Sequence, residues 1–293
     1  MIIVVIKGGL GNQLFEYAAG RALSLRQQKA DNSEPLLKLD TSNYSLTNNI
    51  YPLRHYGLCH FNIIENIATL DEISTLKYPR GILSLCYKTI RTKLGFFNVV
   101  FIPRMLHKKG NIYLEGYWQT EKYFEDFKEQ IQRELTLVKP ISSRAKYFKD
   151  QIKRKSPSIS LHIRRGDYAD SRNTNRHFGT CSESYYSEAL KFIASKIAGT
   201  VNVFVFSDDI EWVKRNIFSS YSLIHVSSPE IPDHEELILM SLCDHNVISN
   251  STFGWWGAWL NKNTQKLIVA PKRWTKKKNF IFRDIIPPSW TRL

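Results

Sequence analysis

Five consecutive apolar residues, IIVVI at 2–6, stop at Lys7 and give way to GGLGNQ. A run that short and that rich in β-branched residues predicts a buried strand. Beyond the glycines, Leu14, Tyr17, Ala18, Ala22 and Leu25 recur on one helical face through LFEYAAGRALSLRQQ. Strand, glycine turn and helix in that order predict the opening unit of a parallel α/β sheet. LLKL at 36–39, ending in Asp40, predicts a second strand. NIYLEGYW at 111–118 predicts a strand and turn, and QTEKYFEDFKEQIQRELTL after it an amphipathic helix with Tyr123, Phe124, Phe127, Ile131 and Leu135 toward a core.

Between these lie two short helical candidates, near 71–78 and 82–91, separated by Pro79-Arg80-Gly81 and without assignable chemistry. A helical stretch after Pro140 (SSRAKYFKDQIKRK) ends at Ser156-Pro157-Ser158, which sets the expected boundary: one α/β domain over 1–156, a second over 157–293. The second repeats strand and helix. Strands are predicted at 159–163, 201–209, 247–249 and 267–271, and helices at 183–197, 210–217, 234–245 and 252–261. That rhythm predicts a doubly wound parallel domain whose ligands gather at the carboxyl ends of its strands.

Composition narrows the function classes. With 43% hydrophobic and 13% aromatic residues, the 293-residue chain is globular and not disordered. Cys59, Cys86, Cys181 and Cys243 are widely spaced with no CxxC pair, so reduced thiols are expected and neither a disulfide framework nor a zinc knuckle. The N-terminus lacks the basic start of a signal peptide, and no stretch approaches the roughly 20 apolar residues of a membrane span; a cytoplasmic protein is expected. The net charge, 41 − 27 = +14, favours anionic partners: nucleotides, phosphorylated lipids, nucleic acid or a membrane surface. PKRWTKKKNF at 271–280 interleaves lysines with Trp274 and Phe280, which suits nucleic acid or an anionic bilayer, although a solvated tail is the simpler reading. Without helix-turn-helix, zinc or RNA-binding sheet signatures, nucleic acid is not expected as a partner.

Four segments carry candidate chemistry. GGLGNQ (8–13) fits neither a dinucleotide fingerprint, which wants a third small residue at Leu14, nor a Walker A loop. It leaves a turn whose backbone approaches a ligand closely, with Asn12 and Gln13 placed to donate hydrogen bonds, or simply a tight βα turn. In HIRRGDY (162–168), strand alternation puts His162 and Arg164 on one face and Ile163 and Arg165 on the other. One arginine can then grip an anion while the other braces the loop, with Asp167 as its expected partner; a purely structural Arg–Asp pair is the alternative. FSDD (206–209) ends a strand in Asp208 and Asp209. They suit Mg²⁺ on a nucleotide, a helix cap, a base or ribose contact, or an arginine, and without a further acidic cluster metal is the disfavoured reading. In SNSTFGWWGAWLN (249–261), Ser251 or Thr252 caps a helix whose tryptophans, Trp255, Trp256 and Trp259, are mostly core, while Asp244 and His245 just upstream read as structural.

Taken in order, GGLGNQLFEYAAGRAL, GYWQTEKYF, HIRRGDY, FSDDIEWVKRN and LMSLCDHNVISNSTFGWWGAWLN resemble the bacterial α-1,2-fucosyltransferases of glycosyltransferase family 11 over nearly the whole chain. Where members commonly read SFSWWAAWL, this chain has TFGWWGAWL, two changes of one small residue for another. The resemblance implies a GT-B architecture of two Rossmann-like domains facing across a cleft, with an N-terminal acceptor side and a C-terminal donor side. It implies inverting, metal-independent transfer of L-fucose from GDP-β-L-fucose to the 2-hydroxyl of a terminal β-galactoside, and no cofactor. Carried over, Arg164 and Arg165 become the pyrophosphate candidates, His162 and Asp208 or Asp209 the nucleoside side, and Asn250, Ser251, Thr252 and Phe253 the phosphate end. Gly11, Asn12 and Gln13 would reach the donor from the other domain. Asp167 is the nearest carboxylate for a base, with Glu16 and Asp170 as alternatives. Another linkage or GDP-sugar, or a glycan- or nucleotide-binding protein without turnover, are the competing readings. The positive charge suits a lipid-linked acceptor and peripheral contact with an anionic inner membrane face.

Overall fold

The structure, a computed structural model, describes all residues except 32–35, 45–53, 78–100, 171, 277–281 and 283, and the side chains of residues 31, 167, 170, 172 and 173 are likewise outside it. The helix expected at 82–91, Cys86 and most of the basic segment's end therefore lie outside the described residues. The chain divides into two compact units, Met1–Val138 with residues 283–285, and Lys139–Phe282 with Ile286–Leu293.

Unit 1 is built on three parallel strands, β1 (Ile2–Val5), β2 (Leu37–Asp40) and β3 (Ile112–Leu114), in the order β2-β1-β3. The helix Leu10–Asp31 starts inside the predicted glycine turn. Gly8 turns the chain at φ +77°, and the Gly9 carbonyl then accepts the Asn12 and Gln13 amides at 2.9 and 3.2 Å. Its apolar face, Leu14, Tyr17, Ala18 and Ala22, is buried as the periodicity predicts. On the same helix, Tyr17 Oη and Arg21 Nη2 reach the buried carboxylate of Glu134 at 2.6 and 2.8 Å.

The long helix predicted after Gln119 is not continuous. Two 3-10 turns, Glu121–Tyr123 and Glu125–Phe127, precede a helix at Lys128–Glu134. Phe124 (ψ 5°) and Phe127 (ψ 26°) leave helical geometry, which sets Phe124 against Phe15 (6.1 Å between rings) and Tyr123 edge-on to Trp118 (5.3 Å). All five predicted core residues are nonetheless buried.

Unit 2 holds six parallel strands: β4 (Ser158–Ile163), β5 (Asn202–Ser207), β6 (Ser222–His225), β7 (His245–Val247), β8 (Ile268–Ala270) and β9 (Thr291–Arg292). Their order, β6-β5-β4-β7-β8-β9, is the doubly wound 3-2-1-4-5-6 arrangement. Both units are thus parallel α/β layers, as the expected architecture requires. β6 and β9 were not foreseen: SLIH is only partly buried, and the two residues of β9 are defined by main-chain pairing to β8. Trp255, Trp256 and Trp259 are all buried, so the tryptophan stripe is core.

The division falls at Val138, not at Ser156. The helix Ser143–Arg154 buries Ala145, Phe148 and Ile152, and its cap residue Ser142 gives both its amide and its hydroxyl to Glu235, at 2.7 and 2.6 Å, which fastens it to unit 2. Asp244 and His245 are structural as expected. Asp244 Oδ2 takes the Ser156 and Ser158 hydroxyls and the Ser158 amide at 2.8–2.9 Å, and His245 Nδ1 takes the Leu267 amide. Cys59, Cys181 and Cys243 are free thiols. Among the described residues no helix is long and apolar enough to cross a membrane.

Candidate functional site

The strand order of unit 2 reverses between β4 and β7, and open parallel sheets bind ligands outside the carboxyl ends of their strands at such a reversal. Arg164 and Arg165 directly follow β4, and residues 248–252 follow β7. His162 joins the two sides: its Nδ1 lies 2.9 Å from Ser249 Oγ. The ring is buried, 5.7 Å from that of Phe253, and a Cβ on Gly254 would stand 2.6 Å from Nδ1. Burial, then the neighbouring Arg164 charge, lowers its pKa to about 3, so the imidazole is neutral at physiological pH.

The β4–β5 register decides what the arginines meet. Ile163 pairs with Ser207, so Arg164 and Arg165 emerge beside Asp208 and Asp209. Arg164 Nη1 lies 3.0 Å from Asp208 Oδ2, and its guanidinium 5.5 Å from the Tyr168 ring. The Arg165 amide donates to Asp208 Oδ1 at 2.8 Å. Its Nε reaches Asp209 Oδ2 at 3.3 Å, and the guanidinium lies 3.6 Å from the ring centroid of Trp212. Asp209 also caps the helix Ile210–Asn216 by accepting the Trp212 amide at 3.1 Å. Alternation holds: Arg165 sits with Trp212 on the face where Ile163 joins the core.

Several expected contacts find other partners here. Asp208 and Asp209 brace the arginines and Asp209 caps a helix, two of the roles the sequence left open for them beside the nucleoside contact that the resemblance implied. The side chains of Asp167 and Asp170 lie outside the described residues. Asn250 Nδ2 donates to the carbonyls of Phe178, Gly179 and Trp274 at 3.1–3.2 Å, so its amide ties two loops together. Ser251 caps the helix Thr252–Trp259 by accepting the Phe253 amide at 3.3 Å, which leaves the Thr252 turn at the end of β7.

In unit 1 Gln13 is fully buried and acts as a latch. Its Nε2 donates to the carbonyls of Gly8 (3.0 Å) and His55 (2.8 Å), while Oε1 accepts the Gly57 amide at 2.8 Å. Gly11 is buried, and Asn12 Oδ1 accepts from Gln119 Nε2 at 2.9 Å. Glu16 is buried too; one oxygen accepts the Lys7 amide at 2.8 Å, and burial raises its pKa well above the carboxylate range. That bond ties Glu16 to the main chain just ahead of the glycine turn, while its other oxygen is buried without a hydrogen-bond partner.

Sequence reasoning missed Glu236, in the first turn of the helix Asp233–Leu242, close to Asp208 and hydrogen-bonded to Ser227. Its only sequence signal was acidity at a helix start, which reads equally as a dipole complement. Among the described residues no group of three or more His, Cys, Asp or Glu is arranged to hold a metal ion.

Residues 87–293 match the family described as Glycosyl transferase family 11. The chain is 32% identical to an alpha-1,2-colitosyltransferase of Escherichia coli, over 100% of this chain and 99% of that protein. It is 24% identical to a galactoside 2-alpha-L-fucosyltransferase of Caenorhabditis elegans, over 100% of this chain and 79% of that one. Among solved structures it is similar to the fucosyltransferase NodZ from Bradyrhizobium, at 14% identity, 87% and 91% coverage and a TM-score of 0.46.

Proposed function

The chain belongs to glycosyltransferase family 11, and from that premise we propose that it transfers a fucosyl or closely related residue, with inversion, from a GDP-sugar to the 2-hydroxyl of a β-galactoside. The observation that carries this reading is a pair of arginines at the carboxyl end of β4, beside the strand reversal of a doubly wound sheet.

Arg164 holds the donor pyrophosphate. Arg165 is already engaged at its ring face, its Nε and its main-chain amide, which suits a brace. As the acceptor hydroxyl attacks the anomeric carbon, negative charge grows on the departing β-phosphate. A fixed guanidinium and the first amides of the helix Thr252–Trp259, with Phe253 beside them, stabilise it where it develops, and the chemistry needs no metal. Asp167, next in line after the arginines, is the carboxylate proposed for the incoming hydroxyl.

The similarity to a colitosyltransferase favours a second donor beside GDP-fucose. Incubation with GDP-fucose and GDP-colitose across a panel of β-galactosides, with NMR of the products, tests both readings. An α-1,2 product is expected from one of them; a different linkage overturns the regiochemistry, and no GDP release from either donor overturns the reaction. A cytoplasmic enzyme acting on a lipid-linked acceptor at an anionic membrane face suits the charge of +14. Salt-sensitive sedimentation with anionic vesicles is the expected result, and no binding at low salt sinks it.

A further inference from the structure

In a parallel sheet the segments leading into the strands all lie at one end, here the end of unit 2 away from Arg164 and Arg165. Five such segments, 153–157, 195–201, 217–221, 242–244 and 260–267, carry six cations: Lys153, Arg154, Lys155, Lys196, Lys262 and Lys266. Asp244 is their one acid, and it is taken up by Ser156 and Ser158. Lys266 donates to the Asn261 carbonyl, whereas among the described residues the other five cations form no ion pair. The same segments expose two large apolar side chains, Phe218 at 82% and Leu242 at 43%.

Helix chemistry explains part of this. Helix N-termini stand at the other end of such a unit and draw acids, as Glu183, Glu211 and Asp233 show in their first turns. Lys153 and Arg154 complement the last turn of the helix Ser143–Arg154. Lys155, Lys196 and Lys262 lie past helix ends and gain little from a dipole that fades within a turn. Nor does a dipole account for a phenyl ring in water, which costs free energy until something covers it.

Charge complementarity makes the covering surface anionic, and its other features make it a bilayer and not a protein. Lysine is depleted at protein interfaces, and all of these cations except Arg154 are lysines. Phe218 and Leu242 precede β6 and β7, strands about 14 Å apart, so the two side chains form no contiguous apolar core. Lone apolar side chains among flexible cations suit a headgroup layer, where each Lys or Arg gains from anionic lipid and apolar groups reach the acyl boundary.

We propose that the amino end of the unit 2 sheet docks on an anionic bilayer, with Phe218 and Leu242 in the headgroup layer and the cations on lipid phosphates. The assignment rests on the membrane contact proposed above and gives it a place and an orientation. The carboxyl ends then face away from the lipid, about 20 Å up by the length of a six-residue strand. A lipid-linked acceptor served in this pose carries its galactoside at least that far from its anchor.

Co-sedimentation with phosphatidylcholine vesicles, alone or mixed with phosphatidylglycerol in equal parts, tests this. The wild type should bind the mixed vesicles at low salt and not phosphatidylcholine alone. Lys155→Glu, Lys196→Glu and Lys262→Glu together are expected to weaken binding by about 100-fold or more. The same change of net charge on unit 1, Arg104→Glu, Lys108→Glu and Lys109→Glu at exposed side chains, should cost less than about tenfold. Phe218→Ser, which leaves the charge alone, should weaken binding by about tenfold. If the triple variant does not fold, Lys196→Glu and Lys262→Glu decide singly, at about fivefold or more each. Equal losses from the two sets of reversals, an unaffected Phe218→Ser, or equal binding to phosphatidylcholine alone overturns this face and leaves the membrane contact standing. A wild type that binds neither vesicle overturns both.

Discussion

Gly166 lies directly beneath the carboxylate of Asp208, so close that a Cβ on the glycine would fall well inside van der Waals distance of Oδ2. That carboxylate holds Arg164 by its guanidinium and Arg165 by its amide. Gly166→Ala should push Asp208 aside and release both arginines from their set positions. The expected result is GDP binding weakened by about tenfold or more, with the melting temperature lowered by only a few degrees. Unchanged GDP affinity would mean that Asp208 does not position the arginines.

The two arginines should fail differently. Arg164→Ala is expected to cost about 100-fold or more in kcat with little change in melting temperature, because its partner Asp208 keeps the Arg165 amide. Arg165→Ala removes a cation from the face of Trp212 and a partner from the capping carboxylate, and should cost stability of about 1–2 kcal/mol as well as activity. Denaturant melts beside initial rates separate the two, and equal stability losses would count against the division of roles.

Substituting Gly254 is expected to be costly, although the change looks conservative. A Cβ there meets His162 Nδ1 at 2.6 Å, and one on Gly257 meets the Met240 side chain at 2.9 Å. Gly254→Ala must displace a buried ring that bonds Ser249, for a loss of about 1–3 kcal/mol by urea titration. The family's usual serine at this position therefore does not fit with His162 where it stands.

His162 also sets an acid limit. Its folded pKa lies near 3, below the ordinary 6.5, so below 6.5 the unfolded chain binds the proton more readily. The stability that this difference supplies is fully present above about 6.5 and drains away as pH falls toward 3. Melts at pH 7 and pH 4.5 should show a smaller loss in His162→Gln than in the wild type; parallel losses would assign the acid lability elsewhere.

In unit 1, Glu134 is the shared acceptor for Tyr17, Arg21 and Gln130 in a buried setting. Glu134→Ala leaves an uncompensated guanidinium inside and should cost about 3–5 kcal/mol, read as a denaturant midpoint shift. A change below about 1 kcal/mol would show that water replaces the carboxylate.

The strands were legible wherever apolar residues run together, as in IIVVI and VNVFVF, and not where main-chain pairing alone defines them, as in β9. HIRRGDY and FSDD both stood out as charged sequences behind strands. Their mutual engagement did not, because it depends on which residue of β5 lies beside Ile163, a register with no local signature. The backbone bonds of Asn250 and Gln13 had no local signature for a related reason. An amide in a glycine- or serine-rich loop looks poised for a ligand; here each makes three bonds to backbone groups, and all but that from Gln13 to Gly8 are to groups remote in sequence. The unit boundary was misplaced because Ser156-Pro157-Ser158 looks like a linker, while the hold of Glu235 on Ser142 spans 93 positions.

The four side chains at the ends of β4 and β5 sum to no net charge, two arginines against two aspartates, on a chain that carries +14. Attraction of an anion from a distance is thus the work of the rest of the surface, and its capture is an exchange of partners within a locally balanced quartet. Added salt should accordingly slow the encounter far more than it hastens departure. Stray phosphate gains little here, since one anion must compete with a fixed aspartate, whereas a diphosphate tethered to a sugar and a base brings enough contacts to win the exchange.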